Sequence, residues 1–167
     1  MNKVAAALSA GLLLGAGLIL PSTLPAAEPE LVDPSSLQMM IEVPSPLGFE
    51  ETLVKLEENA KAEGWKVPQK WKVNFQDNLL RVTDIDIGPN QVLKMCEPFA
   101  AAKLLVKDEY KQLTAMMPCT IAVYVKSDGK TYISMMNLDL MGLMFGGDVA
   151  EMAKELQPQM EKMLKLE

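Results

Sequence analysis

TIAVYVKSDGKTYISMM, residues 120–136, decides the fold. Two runs, Thr120–Lys126 and Lys130–Met136, are rich in β-branched and aromatic residues and flank Ser127, Asp128 and Gly129. Asp-Gly supplies the positive φ that a tight hairpin turn requires, so the stretch reads as two antiparallel strands.

Upstream, Leu37–Val43 is a short apolar run stopped by Pro44 and Pro46, and reads as a strand. Phe49, Leu53, Leu56 and Ala60 then recur at helical spacing. Gly48 stands at the N-cap, Glu51 at the capping-box position and Gly64 past the last turn. Trp65 to Phe75 alternates apolar and polar residues and reads as extended, with a break at Pro68; Leu79–Ile87 also reads as a strand. Asp84 and Asp86 within it share a face and read as a solvated edge rather than an acid/base pair. A Gly88-Pro89-Asn90 turn and a short strand Gln91–Cys96 follow. Pro98 opens a helix to about Val106. Downstream of the hairpin, Leu138–Phe145 reads as a short helix ended by Gly146 and Gly147. Asp148 is placed as cap of a last helix, with Glu151 in the capping-box position and Pro158 expected to kink or split it. The order predicts an α+β two-layer sandwich, a mainly antiparallel sheet with helices on one face.

The N-terminus is an address. Lys3 precedes an apolar run from Val4 to Leu20, then small residues and Pro, and Glu28 is the first acid. That pattern reads as a secretory signal over 1–27, cut after Ala27, although a 17-residue run also borders on a spanning anchor. Residues 28–36, EPELVDPSS, read as a flexible leader, and 37–167 as one domain. The expected location is the periplasm, with no membrane contact after cleavage. Without residues 1–27 the chain carries 15 basic against 22 acidic residues, a net charge near −7, which excludes nucleic acid as partner.

The chemistry-bearing residues are sulfur. There is no histidine, which removes His-based triads, His-ligated zinc and His-ligated haem. There are two cysteines, Cys96 and Cys119, and 13 methionines. Three readings stand side by side. A structural disulfide would close a loop of about 23 residues and stabilise by roughly 3 kcal/mol in the chain-entropy model, and a periplasmic address favours it. A copper(I) or other thiophilic site would use Cys96, Cys119 and some of Met117, Met136, Met141 and Met144, because soft sulfur donors select that ion. Met141 and Met144, three apart on a helix, share a face. The third reading is plain core packing, for which methionine and buried cysteine are also suited. A thiol-disulfide or sulfur-transfer protein is a variant of the first reading, and it lacks a Cys-X-X-Cys motif. Neighbouring methionines on a strand point to opposite faces, so at most one of each pair is expected at a common site. Trp65 and Trp71 suit core packing better than a ligand pocket. A non-enzymatic binding protein with copper(I) or another small thiophilic ligand is the function this composition points to.

Pro118 to Tyr124, then Asp128-Gly129-Lys130, Tyr132, Ser134 and Asn137, resemble the core motif of the family called domain of unknown function 302. Phe49-Glu50-Glu51-Thr52, with Gly64 beyond, is similar to that family's first helix, and Cys96-Glu97-Pro98 stands where a Gly-Asn-Pro type turn is common. The resemblance spans Leu37 to Asn137. It implies a small α+β domain that often pairs into homodimers, and supplies no function. Cysteine and methionine around the motif set this chain apart as resembling a Cys/Met-rich, exported subgroup.

Overall fold

The structure is a computed structural model and describes residues 38–167. The signal read over 1–27 and the leader over 28–36 lie outside the described residues. The hairpin stands as expected: β4 (Cys119–Val125) and β5 (Thr131–Met136) are joined through Gly129 at φ 77°. β1 (Met40–Pro44) adds to β5, β3 (Asn90–Met95) to β4, and β2 (Lys72–Asn74) to β3. The sheet order is β1-β5-β4-β3-β2, and every neighbouring pair is antiparallel.

Register explains the core. Directly paired residues of an antiparallel sheet share a face. One row runs Ile41, Met135, Ile121, Leu93, and the next Val43, Ile133, Val123. Ile121, Val123, Ile133, Met135 and Leu93 are all buried. They meet α1 (Phe49–Ala62) through Leu53, Leu56 and Ala60, and α5 (Gly147–Met163) through Val149, Ala153, Leu156, Met160 and Met163. The opposite face carries Glu42, Tyr124, Lys126 and Tyr132. There Tyr124 and Lys126 donate to Glu42, Tyr132 donates to Asp128 at 2.8 Å, and the Lys126 ammonium sits 4.1 Å from the Tyr132 ring centroid. The architecture is the expected α+β sandwich with an antiparallel sheet.

Local rules hold at most element ends. Glu51 accepts from the Gly48 N–H at 3.3 Å. Gly64 takes φ 87°, its N–H reaches the Lys61 carbonyl, and the Trp65 N–H reaches that of Ala60, which ends α1 in a Schellman motif. Pro98 opens α3 (Pro98–Leu105), with the Glu97 carboxylate accepting from the Phe99 and Ala100 N–H groups. Asn137 caps α4 (Leu138–Phe145).

Several expectations are corrected. Leu79–Ile87 is not a strand: α2 runs Phe75–Thr83, started by Asn74, whose side chain accepts from the Asp77 N–H at 3.0 Å. The extended reading of 65–75 survives only in part. Lys66 bridges to Cys96, a 3₁₀ turn spans Gln69–Trp71, β2 is three residues long, and Phe75 already belongs to α2. Asp148 does not cap α5. Gly146 at φ 63° ends α4 and starts α5 together, so Asp148 falls in the first turn and pairs with Lys107 instead. α5 runs unbroken through Pro158.

α4 and α5 cross closely at Gly142, where an added Cβ would lie 3.1 Å from the Ala150 Cα and from the Ala153 Cβ. Gly142→Val must therefore push the two helices apart. It is expected to cost about 1–3 kcal/mol by overpacking, read as a lower urea midpoint.

Candidate functional site

A cavity opens at the end of the sheet where β1 and β4 begin and β3 and β5 finish. Its volume is about 140 Å³, far above the roughly 10–15 Å³ that one water needs on this measure. It is large enough to hold a small ligand. Both cysteines line it together with Met40, Met116, Met117, Met135, Met136, Met141, Met152 and Met160. Glu97 is its one charged wall residue.

Each donor arrives by a separate structural reason. β3 and β4 pair in a register that sets Met95 opposite Cys119. Cys96 follows Met95 directly and is held by reciprocal backbone hydrogen bonds with Lys66, at 2.8 and 3.0 Å. A 3₁₀ segment, Asp108–Met116, and the cis peptide Met117–Pro118 lead the chain into β4 and carry Met116 and Met117 over the cavity. Met141 faces inward from α4, Met152 and Met160 from α5. Trp65 completes the inner wall, anchored by its Nε1–H donating to Gln159 Oε1 at 2.7 Å.

Five of the six residues expected at a sulfur site, Cys96, Cys119, Met117, Met136 and Met141, meet at this cavity. Met144 does not, and is 63% exposed. The buried stripe of α4 is Leu138, Met141 and Gly142, and Met144 lies past its edge. The rule of one sulfur per neighbouring pair also fails. Met116 and Met117, and Met135 and Met136, all touch the cavity. Met116–Met117 precedes the strand. Met135 and Met136 do face opposite sides of β5, but the cavity takes lining residues from both faces of the sheet. Met40, Met116, Met135, Met152 and Met160 were missed. On α5 the sulfurs hide in an ordinary core stripe, whereas Met40 had a usable signal in the neighbouring strand.

Both cysteines are free. Burial, then the neighbouring Glu97 carboxylate, pushes the Cys96 thiol up from its ordinary value. Burial, then the charge that Cys96 would carry, pushes the Cys119 thiol up to about 11. At neutral pH both are protonated, the opposite of the depressed thiol that reactive cysteines require. Among the described residues, no three Cys, Asp or Glu side chains group where they could hold a metal ion, so any further ligands would have to be thioethers. The donors gathered here are soft.

An antiparallel sheet with helices on the covered face, and a cavity at the open end of its hairpin, define a small α+β domain. The chain belongs to the family described as domain of unknown function DUF302, whose model matches residues 41–166 and so includes α5. It is similar to the crystal structure of an uncharacterized conserved DUF302 protein from Bacillus stearothermophilus, with 26% identity and a TM-score of 0.66. The match covers 77% of this chain and 98% of that one. No curated protein matches the chain.

The raised thiols set the rate of alkylation. At pH 8 Cys119 is expected to react with iodoacetamide far more slowly than free cysteine, with the rate climbing as pH approaches about 11. Glu97→Gln removes one of the two causes that raise Cys96 and is expected to speed its labelling at pH 8. Peptide mass mapping of timed samples reads both. Fast labelling of Cys119 at pH 7 would contradict the assignment.

Proposed function

We propose that this is an exported, non-enzymatic domain that binds copper(I), or another thiophilic ligand of similar softness, in the sulfur-lined cavity. The observation that carries the reading is the convergence of two free thiols and several thioethers on one cavity with a single charged residue. Thiolate and thioether ligands select copper(I), which accepts low coordination numbers and needs neither imidazole nor carboxylate. Cys96 and Cys119 supply the two anionic ligands once metal displaces their protons. Met117 and Met141 supply neutral ones. The cavity is larger than a bare ion needs, and flexible methionine side chains have the freedom to close on it. Glu97 leaves the site one negative charge, which favours a cation over an anion. The export pattern of residues 1–27 supports a periplasmic setting.

The thiol-disulfide alternative is weaker on the same observations. A redox cysteine needs a thiolate at working pH, and both thiols here are pushed the other way.

Competition against a chromophoric copper(I) chelator tests the proposal. The wild-type chain is expected to withdraw one ion tightly. Cys96→Ser/Cys119→Ser is expected to lose about a hundredfold or more in affinity, at or beyond the range seen for lesser ligand-shell changes, with an unchanged circular dichroism spectrum. A folded double variant that keeps wild-type affinity would overturn the cysteine-centred site.

A further inference from the structure

The cavity draws its sulfurs from both faces of the sheet. Cys119 and Met135 belong to the helix-covered face, and Met135 and Met141 are buried. Met40 and Met136 are direct partners across β1 and β5, in a row that faces away from the helices. Cross-strand partners of this kind hold their Cβ atoms about 4.5–5.5 Å apart. Met40 is 49% exposed, whereas Met136 is half-buried and packs against the edge of the core, so the pair spans from solvent to the cavity. Met116, 36% exposed, reaches the same opening from the 3₁₀ segment before β4.

We infer that Met40, Met136 and Met116 form an outer, thioether-only site at the cavity mouth, which takes a soft monovalent cation from solvent before it passes inward to the cysteines. The inference rests on the inner reading for its destination, but the outer site has its own ligands. Three neutral thioethers match copper(I) or silver(I) and offer little to magnesium, calcium or zinc, which prefer oxygen, nitrogen or thiolate. No proton has to leave for a thioether to bind. A thioether is also a weaker donor than a thiolate, so an ion held here remains free to move on.

The surroundings fit this use. Farther along the open face, Glu42, Lys126, Tyr124, Tyr132 and Asp128 satisfy one another, so the polar groups there have partners of their own. Lys94 is the nearest basic residue in the row. It pairs with Thr120 on β4, so β4 separates it from β5 and Met136. Two strand spacings amount to about 10 Å between the backbones, comparable to the Debye length at 0.1 M salt, so salt weakens its repulsion.

The test is a silver(I) titration of the full chain with ¹³C-labelled methionine methyls, followed by NMR, in wild type, Cys96→Ser/Cys119→Ser and Met40→Leu/Met136→Leu. In wild type, Met117 and Met141 are expected to shift with the first equivalent, and Met40, Met116 and Met136 with the second. In the cysteine variant the outer three should shift first. Leucine keeps the bulk of methionine, so Met40→Leu/Met136→Leu should stay folded, lose the outer step, keep the inner one and take up silver(I) about tenfold more slowly, the scale of a ligand-shell change. Met144, 63% exposed and outside the cavity, is the control for a solitary surface thioether. Its shifting alongside the outer three would overturn the site as unspecific. Outer methyls that stay still while inner ones move would overturn the outer site and leave the inner reading standing. Outer shifts with no inner binding in wild type would overturn the inner reading and the passage inward, and leave only the surface site.

Discussion

The register between β3 and β4 is the constraint on which the rest depends. It sets Leu93 against Ile121 and Met95 against Cys119. Through the first pair it aligns the buried row with Met135 and Ile41, against which α1 and α5 pack. Through the second it brings Cys119 beside the segment that holds Cys96. A slip of one residue would turn Ile121 and Val123 to the open face and carry Cys119 out of the cavity with them. Stability of the core and assembly of the sulfur site are thus one choice of register. The reciprocal hydrogen bonds between Lys66 and Cys96 extend that choice past the end of β3.

What was legible in the sequence was what short-range chemistry dictates. The Asp-Gly hairpin, the Schellman end of α1 at Gly64, and Pro98 opening α3 each depend on one or two residues and a local dihedral. α2 was not legible as a helix because Leu79–Ile87 carries β-branched residues at strand-like alternation, while its helical cue, the Asn74 cap, lay upstream in a run read as extended. Phe75, Leu79 and Val82 do recur at helical spacing, but that period begins inside the run read as extended, and the helix leaves these residues exposed rather than in the core. The Gly146-Gly147 pair was read as a stop and proved to be a stop and a start at once.

The site was half legible for a different reason. Residue type pointed to sulfur, and five of six named residues converge on the cavity. Strand parity failed as a filter because it assumes that a site lies against one face of a sheet. A cavity at the end of the strands takes residues from both faces. Helical spacing misled for Met144 because sharing a face with Met141 does not put a residue on the same side of the buried boundary. α4 is two turns long, and its buried edge is Leu138, Met141 and Gly142. Met152 and Met160 were indistinguishable from core in the sequence, because facing the core and facing a cavity within it are the same helical direction.

Burial gives the gathered sulfurs their character. An apolar surround disfavours a charged thiolate, so both thiols stay neutral at neutral pH and the cavity has little field of its own. Its one carboxylate, Glu97, is tied to the start of α3 as a cap. A hard divalent cation entering such a place would leave its water for donors that replace it poorly. A soft monovalent ion loses less hydration and gains sulfur ligands whose strength lies in polarisability rather than charge. The same burial that makes these cysteines poor nucleophiles bears on the proposed role as ligands: only a cation that binds sulfur strongly enough would take the place of the proton. A site selected for reactivity would expose one thiolate beside a cation, and no basic residue lines this cavity.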